Sequence, residues 1–318
     1  MSRREKLVSV VVPVYCEEAV IEQTYAELTR VVRGLAGYRY ELIFVNDGSS
    51  DGTGAILQRL AATDPHLKVM TFSRNFGHQI AITAGIGRAK GDAVVTIDAD
   101  LQDPPSLIPE MVKRWEAGNH VVFATRTERQ GESWFKKATA RLFYRLLDRL
   151  AGIHIPQNTG DFRLMDRRVA DELRRMGEHN RVLRGLVSWL GFRQVAIDYV
   201  RSPRRAGETK YPLHKMIRLA WDGIISFSDK PLRVSLNLGS FSILVAFLVL
   251  TYGLVQHWRG NTVRGWTSTM VTILFLGGIQ LFTLGVIGQY LSRMHDEIKG
   301  RPLYIVEGEI NFDGPDDR

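Results

Sequence analysis

The sequence predicts an α/β domain with a mostly parallel sheet, followed by a hairpin of two membrane-spanning helices. Two observations carry this prediction. Short β-branched runs alternate with amphipathic stretches in the first part of the chain, and two long segments near its end lack charged side chains. Of the 318 residues, 45% are hydrophobic and 24% are charged. This composition supports a folded core and excludes disordered and collagen-like chains.

The chain carries 42 Lys and Arg against 34 Asp and Glu, which gives a formal net charge of +8. An excess of positive charge is compatible with binding to nucleic acid, to an anionic membrane or to a phosphate-bearing substrate. Composition alone does not distinguish among these three. Cys16 is the single cysteine. The chain therefore has no intrachain disulfide and no all-cysteine zinc site.

Strands and helices alternate in the predicted α/β domain. The predicted strands cover residues 8–14, 41–46, 68–73, 93–98 and 120–125, and the predicted helices cover residues 18–35, 53–63, 77–90 and 105–117. Strand, helix, strand at this spacing is typical of a parallel sheet that is covered on both faces. Ligands of such sheets bind beyond the carboxyl ends of the strands. Polar residues at that edge are therefore candidate site residues.

Two segments are long and apolar enough to cross a bilayer. Between Arg233 and His257 the only ionisable side chain is Tyr252, and a helix over 234–256 would be about 35 Å long. A second charge-free segment predicts a helix over 267–291. The alternative is two buried helices of a large soluble core. Length, absence of charge and the tryptophans near the facing ends of the pair favour a transmembrane hairpin.

The short connector places both outer ends of the hairpin on one side of the membrane. Lys and Arg residues are more numerous beside the two outer ends of the hairpin than within the connector, which contains Arg259 and Arg264. The positive-inside rule then places the α/β domain (1–211), amphipathic juxtamembrane helices (212–233) and the tail (293–318) in the cytoplasm. We therefore expect a multi-pass protein of the cytoplasmic membrane, with the hairpin occupying residues 234–292.

The first candidate site motif is Asn46-Asp47-Gly48-Ser49, which leaves a predicted strand and precedes a helix. An acidic, Gly-rich turn at this place can present Asp47 to a base or a ribose, and backbone N–H groups to anions. The alternative is an ordinary helix N-cap at Ser50 or Asp51.

The second motif, residues 98–105, is the strongest local signal. It contains Asp98, Asp100 and Asp103 at the end of an apolar strand. Residues two apart on an extended chain point the same way, so Asp98 and Asp100 would converge. Converging carboxylates repel each other unless a cation lies between them, and Mg2+ or Mn2+ bridging to a diphosphate meets that need. The alternative is an acidic loop that only caps the next helix.

A basic cluster lies close to the predicted membrane segments. Arg201, Arg204, Arg205 and Lys210 fall within ten residues. Arginine binds phosphate through two hydrogen bonds, so a cluster near the bilayer suits a phosphate carried on a lipid. The alternative is a solvated or headgroup-binding patch. Arg126, at the end of another predicted strand, and residues 158–163 add polar groups to the same sheet edge.

With these motifs in place, the chain resembles a family 2 glycosyltransferase with the GT-A fold. Within that family it is similar to the branch of dolichol-phosphate mannose synthase and bacterial polyprenyl-phosphate glucosyltransferases. The motifs that carry the resemblance occur in the expected order over nearly the whole chain: Val12 to Tyr15, Asn46 to Ser49, Ser73 to Gly77, Asp98 to Gln102, Gly160 to Leu164, and Arg204 to Lys210. One residue departs from the pattern, since Cys16 stands where the family usually has Asn.

The resemblance implies roles for individual residues. The residues that would bind the nucleotide-sugar are Pro13, Tyr15, Glu17, Asp47 and Asp98. The metal, Mg2+ or Mn2+, would be bound by Asp98, Asp100 and Gln102. The acceptor phosphate would be bound by Arg126, Arg204 and Lys210. Asp100 and Asp161 would be the catalytic residues, with Asp161 positioning the acceptor or accepting a residual proton.

The implied reaction is an inverting transfer of a sugar from a nucleotide-sugar, with UDP-glucose favoured, to undecaprenyl phosphate at the cytoplasmic face of the membrane. The expected partners are these two substrates and the membrane, and not nucleic acid. Two alternatives remain: a processive polysaccharide synthase subunit and a catalytically silent membrane scaffold. Two spans are too few for a polymer channel within one chain. The choice between Mg2+ and Mn2+ and the presence of a homo-oligomer stay open.

Overall fold

The computed structural model describes residues 5–126, 159–200, 228, 230–259 and 265–312. The described residues fall into two compact units. The first contains residues 5–126, 159–200 and 302–312, and the second contains residue 228, 230–259 and 265–301. The predicted juxtamembrane helices over 212–233 lie mostly outside the described residues.

The first unit is built on a sheet whose described part has eight strands. The strands are β1 (Lys6–Val14), β2 (Tyr38–Asn46), β3 (Leu67–Phe72), β4 (Ala93–Thr96), β5 (Val121–Arg126), β6 (Thr159–Asp166), β7 (Gln194–Tyr199) and β8 (Val306–Ile310). Their order across the sheet is β7-β5-β6-β4-β1-β2-β3-β8.

Helices connect these strands and cover the sheet. They are α1 (Ile21–Arg33), α2 (Thr53–Thr63), α3 (His78–Arg88), α4 (Ile108–Glu116), α5 (Arg167–Arg175) and α6 (Leu183–Trp189), with a 3-10 turn at Pro105–Leu107 before α4. In β1 the seven residues from Val8 to Val14 are all buried, as expected for a central strand covered on both faces. The α/β class that the sequence predicts is confirmed.

The sheet is mixed. The pairs β1–β2, β1–β4, β2–β3 and β5–β7 are parallel, whereas β4–β6, β5–β6 and β3–β8 are antiparallel. Because β6 runs against β4, its first residues lie beside the carboxyl end of β4. Asp161 on β6 therefore joins Asp98, which follows β4, at one edge of the sheet.

One local expectation is wrong. The sequence predicts Asp98 and Asp100 on an extended strand, but β4 ends at Thr96 and both residues lie in the irregular turn that follows. Leu101 within this turn has a φ of 54°, in the left-handed region. The turn, and not strand alternation, brings the two carboxylates to the sheet edge.

The C-terminal tail, for which the sequence suggests no element, contains the edge strand β8. Its sequence, VEGEI, has a glycine and two glutamates among five residues and pairs with the sheet on one side only. Such a short polar strand carries almost no propensity signal.

The second unit contains two long helices, α7 (Lys230–Trp258) and α8 (Trp266–Ile298). By length and composition, the stretches Lys230–Tyr252 and Phe275–Ile298 are apolar enough to cross a membrane. In the most apolar 18 residues of each stretch, only 11% and 6% of the residues are buried, respectively. Large apolar side chains such as Leu236, Ile243 and Leu281 are about 70% exposed. A soluble core helix would bury such side chains.

Candidate active site

A cleft of about 250 Å³ opens at the sheet edge where β1, β2 and β4 end. Its described lining consists of Pro13, Val14, Tyr15, Glu17, Asp47, Asn75, Gly77, His78, Ala81, Asp98, Ala99 and Asp100. Six of the sequence-predicted site residues, namely Pro13, Tyr15, Glu17, Asp47, Asp98 and Asp100, therefore line one cleft.

The residues after β1 form one wall of the cleft. Tyr15 is half exposed, and the backbone N–H of Glu17 donates to Thr53 Oγ1 at 3.0 Å. Cys16 between them has a φ of 54°, and its N–H donates to Ser49 Oγ at 3.0 Å. This left-handed turn carries the chain from β1 towards α1.

Asp47 holds the loop that follows β3. Its Oδ1 accepts the N–H of Phe76 at 2.6 Å, and its Oδ2 accepts the N–H of Gly77 at 2.9 Å. Burial raises the pKa of Asp47, although these two hydrogen bonds oppose the shift. Gly48 is required beside it, because its φ is +65° and a Cβ there would lie 2.4 Å from the carbonyl carbon of Arg74.

The turn after β4 presents Asp98 and Asp100 to the cleft. Thr24 on α1 donates to the carbonyl of Ala99 at 2.6 Å, and Asp100 Oδ1 accepts the N–H of Gln102 at 3.0 Å. Burial raises the pKa of Asp98 to about 6, with the neighbouring carboxylates adding to the shift and His78 opposing it. Gln102 is 6% exposed and is not part of the described cleft lining.

Asp161 on β6 is surrounded by hydrogen-bond donors and positive charge. Gln79 Nε2 donates to its Oδ2 at 2.9 Å and Arg184 Nε donates to its Oδ1 at 3.2 Å. His78 Nε2 lies 3.4 Å from Oδ2, and Arg163 lies 3.8 Å from Oδ1. Burial alone would raise the pKa of Asp161, but the His78 contact and the arginine charges lower it well below its usual range.

His78 joins the two acidic groups of the site. It is the first residue of α3, lines the cleft, and places Nε2 3.4 Å from Asp98 Oδ1 as well as from Asp161 Oδ2. Burial lowers its pKa, but the contact with Asp161 and the two carboxylate charges outweigh burial and raise it. When it is protonated, the His78 imidazole offsets the repulsion between the two carboxylates.

Arg126 belongs to a second polar cluster at the same sheet edge. Its Nε donates to the hydroxyl of Tyr199 at 3.1 Å, and its guanidinium lies 3.8 Å from Asp103 Oδ1. The Tyr199 hydroxyl in turn donates to Asp103, which is fully buried. A Cβ at Gly160 would lie 2.9 Å from Arg126 Nη2, so this glycine leaves room for the guanidinium.

The site has a donor set that suits a divalent cation. Asp98 Oδ1 is a buried oxygen that accepts no hydrogen bond from the described residues. Across the described part of the chain, no group of three or more His, Cys, Asp or Glu side chains could hold a metal ion. Mg2+ is commonly bound by one or two carboxylates together with substrate phosphates. Asp98 and Asp100 fit that mode, in which the substrate completes the coordination.

Two predicted acceptor-site residues, Arg204 and Lys210, lie outside the described residues. Sequence reasoning also missed three residues that contact Asp161, namely His78, Gln79 and Arg184. His78 and Gln79 directly follow the quoted motif Ser73 to Gly77, which is the signal that could have identified them. Arg184 is a single arginine on a short helix, and nothing in the sequence distinguishes it.

Two family models match the chain. Residues 9–174 match the model of glycosyl transferase family 2, and residues 230–294 match that of the GtrB C-terminal hairpin. The chain is 53% identical over 300 residues to an uncharacterized glycosyltransferase of Bacillus subtilis, covering 94% of this chain and 93% of the relative.

Further relatives match along nearly their whole length. An uncharacterized glycosyltransferase of Synechocystis is 46% identical over 299 residues, covering 94% of both chains. The bactoprenol glucosyl transferase of Shigella phage SfII is 42% identical over 301 residues, covering 94% of this chain and 97% of that protein. The mixed α/β domain with its acidic cleft, followed by two apolar helices, therefore belongs to a GT-A-like glycosyltransferase of family 2.

Proposed function

We propose that this protein transfers glucose from UDP-glucose to undecaprenyl phosphate at the cytoplasmic face of the membrane, with inversion at the anomeric carbon. The observation that carries the proposal is a cleft bearing Asp98 and Asp100 in a chain that continues into two apolar helices. The 42% identity to bactoprenol glucosyl transferases over 94% of the chain supports both the sugar and the acceptor.

The nucleotide-sugar would lie in the cleft against Pro13, Tyr15 and Glu17, with its diphosphate near Asp98 and Asp100. Mg2+ or Mn2+, held by these two carboxylates, would neutralise the charge that develops on the departing diphosphate. Gln102 would act on the metal site through Asp100, since Gln102 is buried and its backbone N–H donates a hydrogen bond to Asp100 Oδ1. Asp47 would shape the nucleotide site through the loop that it binds.

The acceptor supplies its own nucleophile. A phosphate monoester has a second pKa near 6, so undecaprenyl phosphate is mostly dianionic at neutral pH. One phosphate oxygen attacks the anomeric carbon, the bond between that carbon and the diphosphate oxygen breaks, and UDP leaves with the electron pair. Because the pKa of Asp161 is well below its usual range, this carboxylate is a weak base. Its role in our proposal is to fix His78 and Arg184 beside the reacting groups.

The acceptor phosphate would be bound by Arg126, Arg204 and Lys210. Arg126 is half-buried at the sheet edge and is oriented by Tyr199 and Asp103. An arginine that is already held in one conformation loses little entropy when it binds a phosphate. Arg204 and Lys210 precede the apolar helices in the sequence, where a lipid-linked phosphate would enter.

The two apolar helices would cross the membrane as a hairpin and keep the α/β domain in the cytoplasm. Lys230 and Arg233 lie at the start of α7. Arg293 lies in the last two turns of α8, and Lys299 and Arg301 follow its end. Cytoplasmic loops carry the excess of Lys and Arg in membrane proteins. Nucleotide-sugars are also charged and cross bilayers poorly, so a cytoplasmic domain meets its donor directly.

A lipid-labelling assay tests the proposal. Purified full-length protein is incubated with undecaprenyl phosphate, Mg2+ or Mn2+, and in separate reactions radiolabelled UDP-glucose, UDP-N-acetylglucosamine or GDP-mannose. We expect label in the lipid extract from UDP-glucose only, and its loss with EDTA. Label from another donor would refute the choice of glucose. Release of nucleotide without lipid labelling would refute the acceptor, and no turnover of any donor would refute the transferase proposal for these substrates.

A further inference from the structure

The C-terminal segment, residues 304–312, extends the sheet beside the donor cleft. Within it β8 pairs antiparallel with β3, with Ile310 opposite Val69 and Val306 opposite Phe72. This segment follows the hairpin along the chain. Its position next to β3 matters because the loop after β3 forms part of the cleft lining.

The far end of the C-terminal segment is firmly anchored. Asn311 Nδ2 lies 2.8 Å from the carbonyl oxygens of Ala61 and Leu67 and 3.2 Å from that of Asp64. Glu309 accepts a hydrogen bond from Arg88 at 2.7 Å. These contacts tie the segment to α2, β3 and α3, so it is a fixed part of the domain.

The near end of the segment contacts the start of the cleft loop. The N–H of Ser73 donates to the carbonyl of Ile305 at 3.0 Å. The ring of Tyr304 stacks on that of Phe72, with 4.9 Å between centroids and an interplanar angle of 21°. Phe72 in turn meets Phe76 edge to face at 5.7 Å and 87°. Three aromatic rings therefore connect the C-terminal segment to the middle of the loop.

The opposite side of the loop is held by Asp47. Its carboxylate accepts the N–H groups of Phe76 and Gly77, while Asn75 and Gly77 line the cleft. The loop is thus fixed between the Asp47 carboxylate on one side and the stacked rings on the other. Without the Tyr304 ring, the loop keeps the two Asp47 hydrogen bonds, the Ser73–Ile305 hydrogen bond and the Phe72–Phe76 contact, but loses the ring that backs Phe72.

We propose that the C-terminal segment is a positioning element for the nucleotide site, and that Tyr304 is its key residue. The Tyr304 ring packs on Phe72, Phe72 packs on Phe76, and this packing presses the loop against Asp47. The expected effect of Tyr304 on nucleotide affinity rests on the proposed function, whereas its expected effect on the conformation of the loop does not. The two can therefore be tested separately in one set of variants.

The test uses the full-length protein in detergent with Tyr304→Ala, Tyr304→Phe and the exposed-site control Glu307→Ala. Hydrogen exchange of the peptide covering residues 73–77 reports on the loop, and calorimetric titration with UDP and Mg2+ reports on the site. For Tyr304→Ala we expect faster exchange in this peptide and UDP affinity about three- to tenfold weaker, the range for loss of one aromatic pair. The KM for undecaprenyl phosphate should not change. Glu307→Ala should behave as wild type, and Tyr304→Phe, which keeps the ring stacked on Phe72, should change the exchange at 73–77 less than Tyr304→Ala does.

Unchanged exchange at 73–77 in Tyr304→Ala would overturn the proposal, whatever happens to UDP binding. Faster exchange throughout the α/β domain would also overturn it, because this result describes a general loss of stability. If Tyr304→Ala does not fold, Tyr304→Leu, which keeps apolar bulk without the planar ring, is assessed by the same criteria. Failure of the wild type to bind UDP would count against the proposed donor, while the exchange data would still judge the role of Tyr304.

Discussion

Replacing Asp161 with asparagine tests the charge balance at the centre of the site. The substitution keeps the shape of the side chain and removes its negative charge. In the wild type this carboxylate is 6% exposed and lies within 4 Å of Gln79, Arg184, His78 and Arg163. Arg163 is itself 6% exposed. Asp161→Asn therefore leaves a buried guanidinium without its nearest counter-charge.

Breaking a buried ion pair from one side typically costs about 3–5 kcal/mol. The asparagine oxygen still accepts one hydrogen bond, so we expect the lower end, about 3 kcal/mol. In a domain of this size each kcal/mol lowers Tm by roughly 2–4 °C. The expected decrease in Tm is therefore about 6–12 °C, together with a large loss of transfer activity because His78 and Arg184 lose their common partner.

The assay is thermal unfolding of the full-length protein in detergent, followed by circular dichroism without substrates. The matched control is Asp171→Asn, the same chemical change in a partly exposed pair with Arg167, which should alter stability by less than about 1 kcal/mol. If Asp161→Asn unfolds within about 2 °C of the wild type, the carboxylate does not balance the buried arginine and the reasoning fails.

Three further substitutions test other parts of the molecule. Asp100→Asn should abolish transfer while the protein stays folded in membranes, and full activity in the labelling assay would contradict a metal role for this residue. Arg204→Ala should raise the KM for undecaprenyl phosphate more than that for the nucleotide-sugar; equal increases would assign Arg204 to the donor site. Glu41→Gln should lower Tm without changing either KM. Glu41 is buried and paired with Lys68 at 2.7 Å, so its loss should cost about 3 kcal/mol, and an unaltered Tm would refute this.

The central strands could be located from sequence because they are apolar on both faces. The predicted strand 8–14 agrees with β1 (Lys6–Val14), and the predicted helix 53–63 has the bounds of α2 (Thr53–Thr63). The other predicted strands and helices of residues 8–126 agree to within a few residues at each end. Continuous runs of Val and Ile bounded by turns leave few alternatives to a buried strand.

Of the eight described strands, β6, β7 and β8 were not predicted. β7 has the alternating apolar pattern of a half-buried strand, with Val195, Ile197 and Tyr199, whereas β6 and β8 are polar or short. β6 contains Asp161 and Arg163, which are buried only because they pair with each other and with groups from elsewhere in the chain. β8 has five residues and two exposed glutamates. Hydrophobic periodicity, which identifies strands that pack by apolar contact, carries no information about strands stabilised by distant polar partners.

The amino-acid sequence alone is enough to predict the α/β class, the order of the acidic and basic motifs, and two apolar segments long enough to cross a membrane. Each motif and each apolar segment is local, since it depends on residue type and spacing within one short stretch of the chain. The partners of Asp161 are visible only in the folded protein, because Gln79 lies 82 residues and Arg184 lies 23 residues away in the sequence. The same holds for the pairing of β8 with β3. Contacts between distant segments depend on how the sheet assembles, and that assembly is not encoded in any one stretch of the chain.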